Sequence, residues 1–206
     1  MVKANGRWTG HPRERPIWRC DRVFGPYAPR PRGVWLAAPR LGEDEPGVSP
    51  VTRRAVPADA AAVRGVIERA IRVSAASVYP AGAVEAWASG RTVHDVRRMI
   101  EDTEGLVATA DRAIVGRANL DGNEVDQLYV DPDSGGRGVA RCLYPTVEQL
   151  VRGNGVVDLR AVASLRAEPV FRRFGFRELA RHYRIFNGQT FTLIHMTKNL
   201  DEARSR

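Results

Sequence analysis

The stretch LYVDPDSGGRGVARCLY, residues 128–144, restricts the fold of this chain more than any other. It reads as a strand, a tight turn and the start of a helix. Val125, Leu128 and Val130 are apolar and β-prone. Asp131-Pro132-Asp133-Ser134 ends the strand, because proline fixes φ and donates nothing to a ladder. Gly135, Gly136 and Gly138 leave the backbone bare, and from Arg137 onward Val139, Leu143, Val147, Leu150 and Val151 recur at helical spacing. At such a helix start free N–H groups point outward, the dipole favours anions and no Cβ obstructs close approach, which suits a phosphate. Arg137 adds a cation capable of bidentate contact. The run is not a P-loop, since it lacks the lysine and hydroxyl of that motif, and it is not G-x-G-x-x-G. The same residues also suit an ordinary strand-to-helix turn in which glycine supplies positive φ.

Two patterns carry a resemblance. Gly135-Gly136-Arg137-Gly138-Val139-Ala140 resembles the acyl-CoA-binding motif of the GNAT superfamily of N-acetyltransferases, in which arginine or glutamine is followed by x-x-G-x and then glycine or alanine. Gly135 stands at the arginine or glutamine position, which contributes chiefly its backbone N–H. Downstream, ASLRAEPVFRRFGF, residues 163–176, resembles the family's N-x-x-A-x-x-F-Y-x-x-x-G-F signature. Ser164 stands for the asparagine, Val170 for the phenylalanine and Phe171 for the tyrosine, while Ala167, Gly175 and Phe176 match. The resemblance is to the bacterial, small-molecule type and runs from residue 51 to residue 200.

Beyond residue 50 the element order reads β-α-α-β-β-β-α-β-α-β-β. Residues 51–55 form a short strand. Pro57-Ala58-Asp59-Ala60 starts a helix carrying Val63, Val66, Ile67 and Ile71 at helical spacing, and residues 83–87 and 93–100 add helical pieces. Residues 106–110 and 113–119 are strands joined by Asp111-Arg112, a two-residue link without the favoured glycine. Asp121-Gly122-Asn123 turns into the next strand. Residues 156–162 form a strand after Gly153-Asn154-Gly155, and residues 177–186 and 190–197 flank an Asn187-Gly188 hairpin turn. This order predicts an α/β (α+β) domain with a mixed, mainly antiparallel sheet flanked by helices. The resemblance implies the GNAT fold, splayed between the fourth and fifth strands.

Residues 1–50 are rich in arginine, proline and glycine and keep no period, so they read as a poorly ordered extension before a domain over 51–200 and a tail over 201–206. Trp8, Trp18 and Trp35 are unusual there and could dock on the domain or a partner. The net charge of +8 is split evenly between residues 1–49 and the remainder. It is almost all arginine and forms no basic run, which argues against nucleic acid as a partner. No apolar run reaches the roughly 18 residues of a membrane span. Cys20 and Cys142 are the only cysteines and no metal spacing occurs. These features point to a cytoplasmic, disulfide-free protein that uses neither metal nor membrane, with homodimerisation left open.

The resemblance implies direct transfer of the acetyl group of acetyl-CoA to an amine, with no acyl-enzyme. The edge of Leu128, Tyr129 and Val130 would bind the pantetheine amides and polarise the thioester carbonyl. Gly135, Gly136, Arg137, Gly138, Val139 and Ala140 would hold the pyrophosphate, with Ser164 and Phe171 as further cofactor contacts. Glu124 and Asp126 lie two residues apart on one strand, so both face one way. Either could take the proton of the ammonium, directly or through water. Both also suit an exposed strand start. His182 and His195 are weaker candidates. Phe171 cannot supply the thiolate's proton, and Tyr129, Tyr144 and Tyr183 do not occupy that position. Tyr79, Trp87, His94 and Tyr183 are candidates for the wall of a small-molecule acceptor site. A catalytically weak acyl-CoA-binding sensor or docking module is the alternative function.

Overall fold

The computed structural model describes residues 49–201 apart from Asn187 and Gly188. The expectations for residues 1–48, for the tail beyond Asp201 and for the Asn187-Gly188 turn lie outside the described residues. Strand β1 (Val51–Arg54) is followed by helices α1 (Ala60–Ser74), α2 (Ala81–Ala88) and α3 (Val93–Asp102). Then come β2 (Glu104–Ala110), β3 (Ala113–Asp121), β4 (Glu124–Val130), α4 (Val139–Gly153), β5 (Asp158–Ser164), α5 (Glu168–Arg173), β6 (Arg177–Phe186) and β7 (Gln189–Asn199). The expected order placed two helices after β1, whereas α2 and α3 are separate. Thr92 divides them by capping α3: its Oγ1 accepts from Asp95 N–H at 3.1 Å, and the Asp95 carboxylate accepts from Thr92 N–H at 2.8 Å. Strand β5 starts two residues later than expected, because Gly155 takes a φ of +73° and ends the preceding turn.

The strands make one sheet in the order β1-β2-β3-β4-β5-β7-β6. Every neighbouring pair is antiparallel except β4 with β5. Helices α1–α3 cover one face and α4 and α5 the other. On α1 the buried Ala60, Val63, Ile67, Ala70 and Ile71 recur every three or four residues. On α4 Val139, Leu143, Val147 and Val151 make the matching stripe toward the opposite face. Strand β2 alternates between them, with Leu106 and Ala108 in the α4 layer and Val107 in the α1 layer. A fully buried valine or isoleucine side chain contributes ~1.5–3 kcal/mol, so these two layers carry most of the stability.

The Asp111-Arg112 link does close a two-residue hairpin, with Ala110 opposite Ala113. Both residues adopt left-handed backbone, φ 49° and 65°, as the twist of a two-residue hairpin demands. Side chains there crowd the following carbonyl. Arg112→Gly is expected to raise stability by ~0.5–1 kcal/mol, the strain relieved being partly offset by the freer unfolded chain. Urea unfolding with an unchanged slope is the measurement.

Candidate active site

The parallel pair that joins the two halves of the sheet is short. Glu124 pairs with Arg160 and Val125 with Ala161, and no further register follows between β4 and β5. From Asp126 to Val130 one side of β4 is therefore free of its neighbour, while β3 holds the other side. The backbone groups of Leu128, Tyr129 and Val130 border this gap. An open strand edge of this kind accepts an extended ligand as an added strand.

At the C-terminal end of β4 the chain turns through Pro132–Ser134 and Gly135–Gly138 into α4. Gly136 and Gly138 both have φ +76°, and a Cβ built on either meets nothing within 4 Å. Their requirement is conformational. Gly138 is the N-cap and supplies no side-chain cap, so the first N–H groups of α4, from Val139 onward, have no intrahelical acceptor. Gly135, Gly136, Arg137 and Gly138 are exposed, Val139 is buried and Ala140 is half-buried. An uncapped helix end with bare backbone before it fits a phosphate.

Two contacts fix this turn. Asp131 is buried, accepts from Asp133 N–H at 3.1 Å and forms an ion pair with Arg69 of α1. On the opposite face Gly116 of β3 lets α4 approach closely, since a Cβ there would lie 2.5 Å from Val139 Cγ1 and 3.2 Å from Leu143 Cδ1.

A β-bulge shapes the other end of β4. Asn119 pairs with Gln127 and Leu120 with Val125, leaving Asp126 as the extra residue. Val125 and Leu128 belong to the α4 layer. Gln127 reaches Met99 of α3 at 3.0 Å, and Tyr129 packs in the α1 layer. Asp126 and Gln127 thus share the α1–α3 face, which strict alternation forbids. Asp126 Oδ2 accepts from Asn119 Nδ2 at 3.5 Å. Burial pushes the Asp126 carboxyl up to about 6, against the pull of Arg91 and Arg117. Burial, then the Asp126 and Asp121 carboxylates, push Glu124 up to about 7, with Arg160 opposing. Two carboxyls on one strand are therefore held well above the ordinary carboxylate range, which suits groups that exchange protons near neutral pH.

The expected acceptor wall is only partly brought together. Tyr79, Trp87 and Phe191 form an aromatic group on the α1–α3 face, with Trp87 edge-on to both at 5.9 Å. The Tyr79 hydroxyl donates to Thr192 O at 3.0 Å and accepts from Leu165 N–H at 3.1 Å, tying the α1–α2 connection to the ends of β5 and β7. The Tyr129 hydroxyl meets the side chains of Arg91 and Trp87, and burial holds its pKa above the usual phenol value. Tyr183 does not join them. It lies opposite Thr192 on the edge strand β6, two residues from Arg181, which bonds to Glu168 of α5. It therefore faces the α4–α5 side and is 75% exposed. His94 is exposed near the start of α3. His182 and His195 meet edge-on at 4.8 Å on the α1–α3 face, and burial lowers the pKa of His195.

Two expected cofactor contacts also have partners within the chain. Phe171 is 3% exposed and edge-on to Phe176 at 5.1 Å in the core. Ser164 Oγ accepts from Ala167 N–H at 3.2 Å, holding the entry to α5 where β5 ends at the gap. Tyr144 stacks on Phe174 at 4.1 Å and hydrogen-bonds Lys198, away from β4. Cys142 Sγ donates to Pro50 O at 3.0 Å and sits 3.1 Å from Thr52 Oγ1. Sequence reasoning missed Arg91, Gly116, Arg117, Asn119 and Gln127. A charged Arg117 inside the apolar run AIVGRANL was a readable sign of a buried polar contact.

A sheet parted at its one parallel pair thus lies beside a helix that starts on a glycine cap, leaving an open strand edge next to free helix N–H groups. Residues 75–200 match the model of the acetyltransferase (GNAT) domain. The chain belongs to the GNAT acetyltransferase family and is an acyltransferase. It is 27% identical over 142 residues to the uncharacterized N-acetyltransferase YafP of Escherichia coli (strain K12), across 68% of this chain and 89% of that protein. A GCN5-related N-acetyltransferase from Rhodopseudomonas palustris superposes with a TM-score of 0.72 at 30% identity, covering 77% of this chain and 100% of that one. The fold is also that of yncA from Salmonella typhimurium, a putative acetyltransferase solved with its cofactor acetyl-CoA. That match has a TM-score of 0.59 at 19% identity over 74% of this chain and 94% of that one. Among the described residues no group of three or more His, Cys, Asp or Glu could hold a metal, and no helix is long and apolar enough to cross a membrane.

Proposed function

We propose that this chain transfers the acetyl group of acetyl-CoA directly to the amine of a small-molecule acceptor, with residues 51–200 as the catalytic domain. The observation that carries the reading is the juxtaposition of Glu124 and Asp126, both raised toward neutrality, with the unpaired edge of β4. The residues fit the donor: a glycine-capped helix end for the pyrophosphate and an open strand edge for the pantetheine amides. Bound acetyl-CoA supplies a thioester carbonyl as the electrophile. Backbone N–H groups of Gly136 to Ala140 hold the phosphates, and the β4 edge orients the arm. Asp126 or Glu124 takes the proton of the acceptor ammonium, directly or through water. Tyr79, Trp87 and Phe191 supply an apolar wall on the same face. A thiolate with an ordinary pKa of ~8.5 leaves without a proton from the phenylalanine at position 171.

Phe171 favours a second reading, an acyl-CoA-binding module of low turnover. Thermal unfolding with acetyl-CoA, CoA and ATP, on the wild type and Gly138→Glu, tests the donor site. Acetyl-CoA and CoA are expected to stabilise the wild type by ~2.7 kcal/mol at a hundredfold excess over Kd. ATP is expected to do nothing, and the variant to lose the effect, because its carboxylate stands where the phosphates bind. Thiol release that requires an added amine then supports transfer, whereas ligand shifts without release across an amine panel support the binding module. No shift with any ligand sinks both.

A further inference from the structure

We infer that Arg117 is a positioning residue for Asp126: from a fully buried place on β3 it fixes, through the Asn119 carboxamide, the hydrogen bond that orients the Asp126 carboxylate on the α1–α3 face. The inference rests on the reading of Asp126 as a proton acceptor.

The direction of the chain of hydrogen bonds follows from the donor inventory. A guanidinium only donates. Arg117 Nη2 donates to Asn119 Oδ1 at 2.9 Å, while Thr103 Oγ1, whose one proton is shared between Met99 O and that oxygen, lies 2.7 Å away. The carboxamide oxygen is thereby committed, and Nδ2 must point the other way. There it lies 3.5 Å from Asp126 Oδ2 and can only donate. Arg117 Nε also donates to Gln127 Oε1 at 3.1 Å, which turns the Gln127 amide nitrogen toward Met99 Sδ. One side chain therefore grips both flanks of the bulge, Asn119 on β3 and Gln127 on β4. Asp126 is the residue between them.

This place is costly. Arg117 is 0% exposed, and the carboxamides that accept its hydrogen bonds are neutral. Its Nη1 has no hydrogen-bond partner, and a Cβ on Gly105 would come within 3.2 Å of it, so β2 carries glycine to make room. Burial lowers its pKa to about 10, which leaves it charged at neutral pH. A well-packed apolar residue would serve a purely structural role at lower cost. Arg117 is also not the only titratable or charged group facing Asp126. Arg91 approaches from the α2–α3 connection, Asp121 from the end of β3, and Glu124 and Tyr129 from β4.

The test is the titration of the Asp126 carboxyl by carbon NMR in the wild type, Arg117→Met and Asn119→Leu, each full-length. Removing the cation in Arg117→Met is expected to raise the Asp126 pKa by about one pH unit, and Asn119→Leu to raise it less. In both, kcat is expected to fall roughly tenfold with the KM for acetyl-CoA unchanged, because the donor site is untouched. In an Asp126→Asn background neither substitution should lower kcat further. Asn119→Leu keeps the test decisive if Arg117→Met does not fold. An unmoved Asp126 titration in the folded variants, or a kcat loss that persists in the Asp126→Asn background, overturns the inference. A moved titration in a protein that never shows amine-dependent thiol release upholds the inference and sinks the transfer reading instead.

Discussion

Asp126→Asn is expected to lower kcat by ~10²–10³ with little change in the KM for acetyl-CoA, since proton transfer by a placed side chain contributes ~10²–10⁴. Glu124→Gln is expected to cost less, about tenfold, because Asp126 lies nearer the open edge of β4. The pH dependence follows from the environment. Burial and like charges put Asp126 at about 6 and Glu124 at about 7, above ordinary values of 3.8 and 4.5. To act as the proposed bases they must be ionised, so kcat/KM should rise through about pH 6–7 to a plateau, with the two carboxyls titrating as a pair. Stability moves the other way. The folded state holds these protons more tightly than the unfolded chain, so their contribution is fully present below about pH 4 and is lost as pH rises through the folded values. Asp126→Asn should therefore be more stable than the wild type at about pH 8, on the order of 2 kcal/mol, and equally stable at about pH 4. Stopped-turnover assays and thermal unfolding across that range check both signs. A variant that keeps its rate, or loses it together with its stability, would remove Asp126 from the mechanism.

Gly116→Val should damage the proposed donor site without touching it. The new Cβ would stand 2.5 Å from Val139 Cγ1, 3.2 Å from Leu143 Cδ1 and 3.3 Å from Tyr129 O. Val139 and Leu143 are 3% and 0% exposed, so neither can swing into solvent. Overpacking of this kind costs ~1–3 kcal/mol and sometimes more. The first turn of α4 must then lift from β3, and with it the N–H groups from Val139 onward. Acetyl-CoA affinity is expected to fall on the order of tenfold or more, since small misplacements of a binding turn have effects of that size. Calorimetric titration with CoA, beside thermal unfolding, measures both. Unchanged affinity in a destabilised protein would mean that the turn is held by the Arg69–Asp131 ion pair rather than by β3.

The parts of the site that are local in the chain were legible in it. Gly136 and Gly138 announce a left-handed turn because few other residues adopt it, and the apolar spacing from Val139 announces the helix behind it. Glu124 and Asp126 share a face by simple alternation, and the structure keeps them together. The hairpin at Asp111-Arg112 was legible from its length alone, despite side chains that resist its backbone.

Tyr183 and Phe171 were not legible in the same way. A strand's period is two, so which set of its side chains meets the acceptor face depends on register with its partner. Pairing of Tyr183 with Thr192 turns it toward α5. Phe171 occupies a motif position, yet the rings around it decide that it fills the core. Gln127 escapes local reading for a related reason. Only the mismatch between β3 and β4 at Asn119 creates the bulge that places it beside Asp126. The sequence by itself determined the order of the strands, the glycine turn and the two carboxyls on one face, because each follows from residues a few positions apart. The tertiary structure alone decided the bulge, the buried Arg117 that grips it and the faces of the terminal strands, because these depend on residues that meet only when the sheet is assembled.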